Sequence, residues 1–324
     1  MSSAPTREVN PALIELVQRG INGDRRALAR CITLIENRAV EAPALMHQIY
    51  PHIGRAHLIG ITGAPGSGKS TLTNELIKEF RKRGRKVGVV AVDPTSTLTG
   101  GAVLGDRIRM LENFGDKDVF IRSMATRGQL GGLASMTNDV ARVMDAFGKE
   151  IVILETVGVG QDEVDVAKAA HTTLLVEVPG MGDDIQAIKA GVLEIADMII
   201  INKADREGVE KLQLHLKGML SLAPRREWQI PILRTIAAQG EGIGEVADAA
   251  EKHLVYLKNS GEYEKREKAR LRDELLGRIR EEVTRRVLRL ETAPGGLQDT
   301  LNQLELRQLD LDQAAYALYK KSFE

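Results

Sequence analysis

Cysteine, surplus charge and long apolar runs are all scarce in this sequence. Cys31 is the single cysteine among 324 residues, which excludes an internal disulfide and a multi-cysteine metal site. Lysine plus arginine equals aspartate plus glutamate, at 45 each, so the chain lacks the basic excess typical of nucleic-acid binders. No apolar run reaches the roughly 18 residues of a membrane span, and the first residues do not resemble a signal or transit peptide. We therefore expect a cytoplasmic protein with neither nucleic-acid nor membrane partners.

Residues 10–50 have a helical pattern. The triplet Asn22-Gly23-Asp24 predicts a turn and a helix N-cap, after which one helical face is apolar: Leu28, Cys31, Ile32 and Ile35. Cys31 belongs to that apolar stripe, and nothing nearby in the sequence would lower its pKa. We therefore predict a buried core thiol rather than a reactive one.

From residue 57 onward, short β-rich runs alternate with helical stretches. The predicted strands are 57–62, 86–93, 151–156, 173–178, 198–202 and 230–235. Most of them are nearly continuous apolar runs, as expected for strands that helices cover on both faces. This alternation predicts an α/β fold with a mostly parallel, doubly wound sheet, in which ligands bind at the carboxyl ends of the strands.

The last part of the chain predicts a long, charged, amphipathic helix over residues 265–290. Its apolar residues repeat every four positions: Leu271, Leu275, Ile279, Val283 and Val287. Residues 292–296 break this helix, and a final helical segment follows. The apolar stripe needs a cover, so the helix either folds back on its own domain or pairs with a second subunit.

The segment Gly63-Ala64-Pro65-Gly66-Ser67-Gly68-Lys69-Ser70 fits the phosphate-binding pattern G-x-x-x-x-G-K-[ST] without a mismatch. Its glycines let backbone N–H groups point at phosphate oxygens, and the next helix adds its positive N-terminus. We expect Lys69 to reach the β- and γ-phosphates and Ser70 to bind Mg²⁺. The predicted nucleotide-binding set continues to Thr71.

Two acidic residues end buried strands. Asp93 closes the run that starts at residue 87, and Glu155 closes the run that starts at residue 151. A carboxylate in this position can hold Mg²⁺ directly or through its water shell. The plainer alternative is a cap on the next helix or turn. The segment ETVG (155–158) also has the form of a switch motif whose glycine N–H meets the γ-phosphate, with glutamate in place of the usual aspartate.

The segment Asn202-Lys203-Ala204-Asp205 follows an apolar strand and fits N-K-x-D, a pattern that reads guanine. The Asp205 carboxylate can accept hydrogen bonds from N1–H and the 2-amino group, which adenine lacks, so a buried site of this kind discriminates by roughly 10⁴-fold. We expect Lys203 to lie along the base and Asn202 to hold this segment against the glycine-rich segment that starts at Gly63. Farther on, Ile236-Ala237-Ala238 lies where a backbone N–H could meet guanine O6. An ordinary helix-starting loop is the alternative for residues 202–205.

Six further segments, together with these motifs, resemble one family, the methylmalonyl-CoA mutase-associated GTPases of the MeaB or ArgK type. They are GDRRALAR (23–30), AVDPTS (91–96), LGDRIRM (104–110), RGQLGGL (127–133), ETVGVGQ (155–161) and PGMGDD (179–184). The resemblance implies a P-loop GTPase domain over residues 56–260, an N-terminal helical extension over 1–55 and a C-terminal dimerisation arm over 261–324. It also implies Mg²⁺ coordination by Ser70, Asp93, Asp106 and Glu155.

The same resemblance implies a function. Proteins of this family associate with an adenosylcobalamin-dependent acyl-CoA mutase, gate cofactor delivery from its adenosyltransferase and protect the mutase. Residues 95–110 and 177–189 resemble mobile segments that respond to the nucleotide; an ordinary surface loop is the alternative for the second. We expect no cobalamin to bind this chain directly, because the D-x-H-x-x-G spacing around His215 has Gln213 where aspartate is needed.

Phosphoryl transfer needs positioning and charge stabilisation more than covalent chemistry. The predicted catalytic residues are Lys69, Asp106, Glu155 and Gln161, with Gln161 orienting the attacking water. No arginine finger can be identified, so we expect slow hydrolysis that a partner accelerates. Three alternatives stay open: a metallochaperone GTPase for nickel or zinc enzymes, a kinase acting on a transport protein, and a scaffold that binds nucleotide without hydrolysis.

Overall fold

The structure is a computed structural model, and it describes residues 10–93, 115–125, 132–156, 162–180, 194–222 and 227–323. Three helices come first: α1 (Pro11–Ile21), α2 (Arg25–Glu36) and α3 (Ala42–Ile49). The Asp24 carboxylate accepts hydrogen bonds from the backbone N–H groups of Arg26 and Ala27, which confirms the predicted N-cap of α2. Cys31 is fully buried, and burial raises the pKa of its thiol to about 12, so it is a core residue as predicted.

Strands and helices then alternate along the chain. The strands are β1 (His57–Thr62), β2 (Val87–Asp93), β3 (Val119–Ala125), β4 (Ile151–Thr156), β5 (Thr172–Glu177), β6 (Met198–Asn202) and β7 (Ile232–Thr235). The helices of this part are α4 (Lys69–Lys82), α5 (Gly132–Ala146), α6 (Asp162–Ala169), α7 (Val209–Leu222) and α8 (Ile243–Ser260). The C-terminal helices are α9 (Glu262–Arg289), α10 (Leu297–Glu305) and α11 (Leu311–Lys321).

The described strands form one seven-stranded sheet in the order β3-β2-β4-β1-β5-β6-β7. Every strand pair is parallel, which confirms the predicted doubly wound sheet. The prediction missed β3, which adds a strand at the edge beyond β2. Arg122 interrupts the apolar pattern of β3, and its Nε donates to Glu36 on α2 at 2.7 Å. Glu36 lies 86 residues away in the sequence, so no local pattern indicates this pairing.

Helices cover both faces of the sheet, and the core lies between these layers. One face packs against α4 and α8, with Phe80 and Val246 among the buried contacts. The other face packs against α1, α2, α3, α5 and α6 at one end of the sheet and against α7 at the other. The N-terminal helices therefore share a core with the sheet. In the part of the chain that is described, no helix is both long and apolar enough to cross a bilayer.

A buried polar network lies at the amino ends of β1, β5 and β6. The Thr172 hydroxyl bridges His57 Nε2 at 2.7 Å and His253 Nδ1 at 2.9 Å. On its other side, His253 Nε2 is 3.4 Å from Asp197 Oδ1, which also accepts a 3.0 Å hydrogen bond from Arg266. Burial is the main cause that lowers the pKa of His253 to about 4, so this histidine is neutral at pH 7.

The chain divides into two compact units, one ending at Arg266 and the other running from Glu267 to Glu324. The first contains the sheet and its covering helices. The second contains most of α9 together with α10 and α11. Its buried residues are few, namely Gly296, Thr300, Ala314 and Leu318, whereas many large apolar residues are exposed: Leu271, Leu275, Leu276, Ile279, Leu288, Leu301, Leu306, Leu311, Tyr316, Tyr319 and Phe323.

Candidate functional site

The glycine-rich loop at residues 63–68 joins β1 to α4. Gly63, Gly66 and Gly68 have φ values of 138°, 78° and 93°, a backbone region that favours glycine. A Cβ on Gly63 would lie 2.2 Å from the carbonyl oxygen of Val176, and one on Gly68 would lie 2.3 Å from Asn202 Nδ2. Both contacts are too short for any side chain. The loop is thus held against β5 and β6 and leads into the N-terminus of α4, a favourable position for an anion.

The first residues of α4 carry the polar side chains of this loop. Lys69 is buried, and its Nζ donates to the carbonyls of Gly63 at 2.8 Å and Ala64 at 3.0 Å. The Ser70 hydroxyl donates a 2.6 Å hydrogen bond to Glu155 Oε1, and Thr71 is exposed next to it. A cation and a hydroxyl are therefore placed where the phosphates of a nucleotide would meet the helix.

Glu155 is buried close to the end of β4, between β1 and β2. Its register partners are Ile61 on β1 and Ala91 on β2, so its carboxylate lies beside the start of the glycine-rich loop. Carboxylate and hydroxyl oxygens are among the ligands that bind Mg²⁺ in proteins, so the Glu155–Ser70 pair fits this ion.

Several predicted site residues lie outside the described part of the chain. Asp93 ends β2, but its side chain is not described, and neither Asp106 nor Gln161 is among the described residues. The predicted segment 95–110 is wholly outside, and only residues 177–180 of the segment 177–189 are described.

The N-K-x-D segment begins at the last residue of β6, where its first side chain is fixed by three hydrogen bonds. Asn202 Nδ2 donates to the Ser67 carbonyl at 2.9 Å, while its Oδ1 accepts from Thr235 Oγ1 and from the Ala237 N–H, each at 3.1 Å. Lys203 Nζ donates to the Gly66 carbonyl at 2.8 Å. The N-K-x-D segment and the glycine-rich loop are therefore in direct contact.

The end of that motif faces solvent. Asp205 is exposed in the turn after β6, where its carboxylate is available to a ligand. The segment Ile236–Ala238 follows β7, and the backbone of Ile236 pairs with that of Glu241 in both directions, at 3.1 and 3.3 Å. This pairing closes a small loop that brings Ala237 to Asn202.

The carboxyl edge of the sheet thus brings together three candidate segments: a glycine-rich loop, a buried carboxylate with a serine hydroxyl, and an exposed carboxylate on a fixed turn. Backbone N–H groups and Lys69 can hold phosphates, and Asp205 can accept hydrogen bonds from a base. Sequence reasoning did not single out Thr235, whose hydroxyl holds Asn202. Thr235 could have been found only from its position at the end of a strand that lies next to β6. That position cannot be recognised until the order of the strands is known.

The chain is similar to known proteins over most of its length. The family described as methylmalonyl Co-A mutase-associated GTPase MeaB matches residues 28–292. A Pyrococcus horikoshii protein named as a GTPase is 45% identical over 311 residues, covering 95% of this chain and 97% of that protein. The mouse mitochondrial methylmalonic aciduria type A homolog is 34% identical, over 75% of this chain and 63% of that protein. The crystal structure of a LAO/AO transport system kinase matches with a TM-score of 0.72 and 27% identity, covering 98% of this chain and 100% of that one.

Proposed function

This chain belongs to the family of methylmalonyl-CoA mutase-associated GTPases, MeaB, and we propose that it acts as a GTP-timed chaperone of an adenosylcobalamin-dependent acyl-CoA mutase. It is a GTPase, which converts GTP to GDP and phosphate. The family description names the mutase, and the mouse relative is named for methylmalonic aciduria. Both names support a mutase as the partner. Loading of cofactor into the mutase, protection of the mutase and the adenosyltransferase as a further partner complete the proposal, and they come from the sequence resemblance alone.

The contact between Asn202 and Ser67 is the observation that carries the nucleotide site. It holds the N-K-x-D segment against the glycine-rich loop, so one ligand with both a base and phosphates can span the two segments. In this proposal, the amides of residues 63–70 and Lys69 hold the phosphates, and Asp205 accepts from N1–H and the 2-amino group of guanine. The backbone of residues 236–238 lies beside the base.

Mg²⁺ fits the oxygen pair of Ser70 and Glu155, which are 2.6 Å apart. We assign Asp93 to the same ligand set from its place at the end of a strand, and Asp106 from the family resemblance. When bound, the ion would offset negative charge on the phosphates. Within the chain, Lys69 supplies the fixed positive charge and Gln161 is assigned to orient the attacking water.

Hydrolysis is proposed to be slow in the isolated chain. No arginine in the sequence is recognisable as a finger for the transition state, and such a group can raise hydrolysis by roughly 10³–10⁵-fold. A partner that supplies or orders the missing group would make GTP hydrolysis a timer for its own release.

The C-terminal unit supports a homodimer. The side chains of Leu275 and Ile279 are 60% and 50% exposed, and no residue of α9 is buried. Contiguous exposed apolar surface marks interaction sites. A second copy of the chain, with its own α9 stripe, is the occupant that we propose.

The test is to measure GTP hydrolysis by the purified chain alone and with the adenosylcobalamin-dependent acyl-CoA mutase of the same host. We expect stimulation of at least roughly 10-fold, with an unrelated acyl-CoA enzyme as the control. An unchanged rate, or equal stimulation by the control, would overturn the chaperone proposal. Stoichiometric retention of nickel or zinc by the chain would instead favour the metallochaperone alternative.

A further inference from the structure

The first turn of α9 is fixed to the amino edge of the sheet by polar contacts. Arg266 Nη1 donates to Asp197 Oδ1 at 3.0 Å and to the His171 carbonyl at 3.4 Å. The Tyr263 hydroxyl lies 3.4 Å from His171 Nε2. Gly261, with a φ of 73°, separates this turn from α8, and the turn ends at Arg266 within the first compact unit. Its position therefore depends on groups at the amino ends of β5 and β6.

Asp197 is the centre of this arrangement, and only 5% of its side chain is exposed. Its Oδ2 accepts from the Thr173 N–H at 2.9 Å, and its carbonyl accepts from Trp228 Nε1 at 2.7 Å. Its Oδ1 faces both Arg266, at 3.0 Å, and His253 Nε2, at 3.4 Å. One carboxylate oxygen is therefore shared between an arginine that is 42% exposed and a histidine that is fully buried.

The chemistry of the neighbours fixes the protons of this network. A carboxylate only accepts hydrogen bonds, so His253 carries its proton on Nε2, towards Asp197, and its Nδ1 is an acceptor. The Thr172 hydroxyl then donates to His253 Nδ1 at 2.9 Å and accepts from His57 Nε2 at 2.7 Å. His57 Nδ1 is left as an acceptor with no hydrogen-bond partner among the described residues. Each of these two histidines thus holds one proton and is neutral.

A further proton on His253 disrupts this arrangement. It would occupy Nδ1, where the hydrogen of the Thr172 hydroxyl now points. That hydrogen could turn to His57 Nε2 only if His57 carried its own proton on Nδ1, which has no partner in the described part of the chain. Either the hydroxyl or the Nδ1–H of His57 would then be buried without an acceptor, at a cost in free energy.

The charged and titratable groups that face His57 and His253 come from every element packed against them, namely His171 before β5, Asp197 before β6, Lys258 of α8 and Arg266 of α9. Two tyrosines, Tyr256 of α8 and Tyr263 of α9, also border the cluster and stay neutral in acid. Among these described groups, Asp197 is the one carboxylate. An added positive charge in the cluster therefore has a single anionic partner.

A cationic His253 would compete with Arg266 for that carboxylate. His253 is fully buried and cannot reach water, whereas Arg266 is partly exposed and can move into solvent. Arg266 is therefore the cation that leaves. Burial lowers the pKa of His253 to about 4 from 6.5, with Arg266 acting in the same direction and Asp197 against it. A state in which Arg266 has left binds the proton more readily, so acid favours that state.

We propose that this network is an acid-sensitive anchor, which holds the first turn of α9 on the sheet at neutral pH and releases it when His253 takes up a proton. Release precedes unfolding of the sheet, because the turn is held by a few polar contacts and the strands by a buried apolar core. The inference does not depend on the nucleotide site. It concerns the helix that carries the stripe proposed for the homodimer.

The experiment measures hydrogen–deuterium exchange of the full-length chain from pH 7 to pH 4.5, corrected for the intrinsic exchange rate at each pH. The readout is the peptide 262–270, in which the N–H groups from residue 266 onward bond to carbonyls of the first turn. The α4 peptide 69–82 reports on the sheet and its covering helices. We expect protection of peptide 262–270 to fall by at least about 10-fold between pH 6.5 and pH 5, since one proton can change it by up to about 10-fold per pH unit.

Arg266→Met removes the anchoring charge and keeps an apolar side chain of similar length. We expect this variant to lose protection of peptide 262–270 by roughly 5-fold or more already at pH 7, and to respond to pH by less than about twofold. Its α4 peptide should match that of the wild type. Lys265→Met is the matched control, because Lys265 is 72% exposed on the same turn and pairs only locally, with Glu262. It should follow the wild type at every pH.

Trp228 gives a second readout, because it is the single tryptophan and its ring lies 4.7 Å from that of His253. A protonated imidazole quenches indole emission, so the emission should fall over the same pH range as the protection. In Arg266→Met the quench should move to higher pH, because the arginine no longer opposes the cationic histidine.

Three results would overturn the inference. The first is a wild-type pH response of peptide 262–270 in Arg266→Met. The second is quenching of Trp228 without loss of protection in this peptide, since proton uptake would then leave the turn in place. The third is equal protection of peptides 262–270 and 69–82 at every pH, which would show that the turn opens only when the sheet unfolds.

Discussion

The Asn202 amide donates a 2.9 Å hydrogen bond to the carbonyl of Ser67, 135 residues earlier in the chain. This bond joins the end of β6 to the loop before α4, and both residues are buried. Gly68 lies against the same amide, where a Cβ would come within 2.3 Å of the nitrogen. The N-K-x-D segment and the glycine-rich loop are therefore in direct contact. We expect changes in either of them to alter nucleotide binding.

Gly68→Ala tests this close approach, with Gly84→Ala as the matched control. Both glycines have positive φ, at 93° and 76°, so both alanines pay the backbone cost of about 1 kcal/mol. Only the Gly68 variant also drives its Cβ into Asn202, because no atom of the described residues lies within 4 Å of a Cβ at Gly84. We expect GDP affinity to fall by roughly 10- to 100-fold for Gly68→Ala alone, measured by calorimetry. Equal affinity of the two variants would contradict the interlocked loops.

Ser70→Ala tests the proposed Mg²⁺ site, with Ser70→Thr as the variant that keeps the hydroxyl. The Ser70 hydroxyl lies 2.6 Å from Glu155, so its loss removes one oxygen from the proposed ligand pair. We expect Mg²⁺-dependent GTP hydrolysis to fall by roughly 100-fold in Ser70→Ala and to persist in Ser70→Thr. Phosphate release across a Mg²⁺ titration is the measurement. A wild-type Mg²⁺ response in the alanine variant would remove Ser70 from the ligand set.

The buried network around Thr172 makes stability depend on pH. The pKa of His253 is lowered, mainly by burial, to about 4 from an ordinary 6.5, so between these values the unfolded chain binds more protons. The free energy of unfolding should therefore fall as the pH drops from 6.5 to 4, by roughly 3 kcal/mol from this residue. His57, whose pKa burial also holds well below its ordinary value, acts in the same direction.

Urea unfolding at intervals from pH 7 to pH 4.5 checks this prediction. His253→Asn should be less stable at pH 7, because it loses the packing and the contacts with Thr172 and Asp197. Its stability should also vary less steeply with pH than that of the wild type. His47→Asn, at an exposed position, is the matched control. A slope in His253→Asn as steep as the wild-type slope would show that His253 is not the titrating group.

The paired substitution Leu275→Glu and Ile279→Glu tests the proposed homodimer. Charges on the exposed stripe of α9 would have to be buried in a dimer, at a cost that exceeds the apolar gain. We expect light scattering to show a dimer for the wild type and a monomer for this variant. Leu214→Glu, at a 73% exposed position of α7, should remain dimeric. A wild-type monomer at micromolar concentration, or a dimer of the α9 variant, would reject the α9 interface.

Local sequence patterns predicted most of the sheet, because strands that are buried on both faces are short apolar runs. β1 and β6 begin and end at the predicted residues, since each is an apolar run that stops at a polar or glycine-rich motif. β3 was missed because Arg122 breaks its apolar run and is stabilised by Glu36 on another element. Asp145 is similar, since its carboxylate accepts from the backbone of residues 54–56, some 90 positions away.

The same distinction holds for the candidate site. The glycine-rich loop and N-K-x-D were visible because their spacing is local. Thr235 was not, because its partner is chosen by the neighbouring strand rather than by the sequence around it. The histidines near Thr172 show no motif spacing, and only the fold brings His57 and His253 to one hydroxyl.

Nucleotide selectivity tests the central claim most directly. Calorimetry of the purified chain with GDP, ADP and xanthosine diphosphate should show GDP bound at least roughly 10⁴-fold more tightly than ADP. Asp205→Asn should lose GDP affinity and gain affinity for xanthosine diphosphate, which presents an acceptor where guanine presents its 2-amino donor. Equal affinity for GDP and ADP, or an Asp205→Asn variant with unchanged preference, would contradict the account.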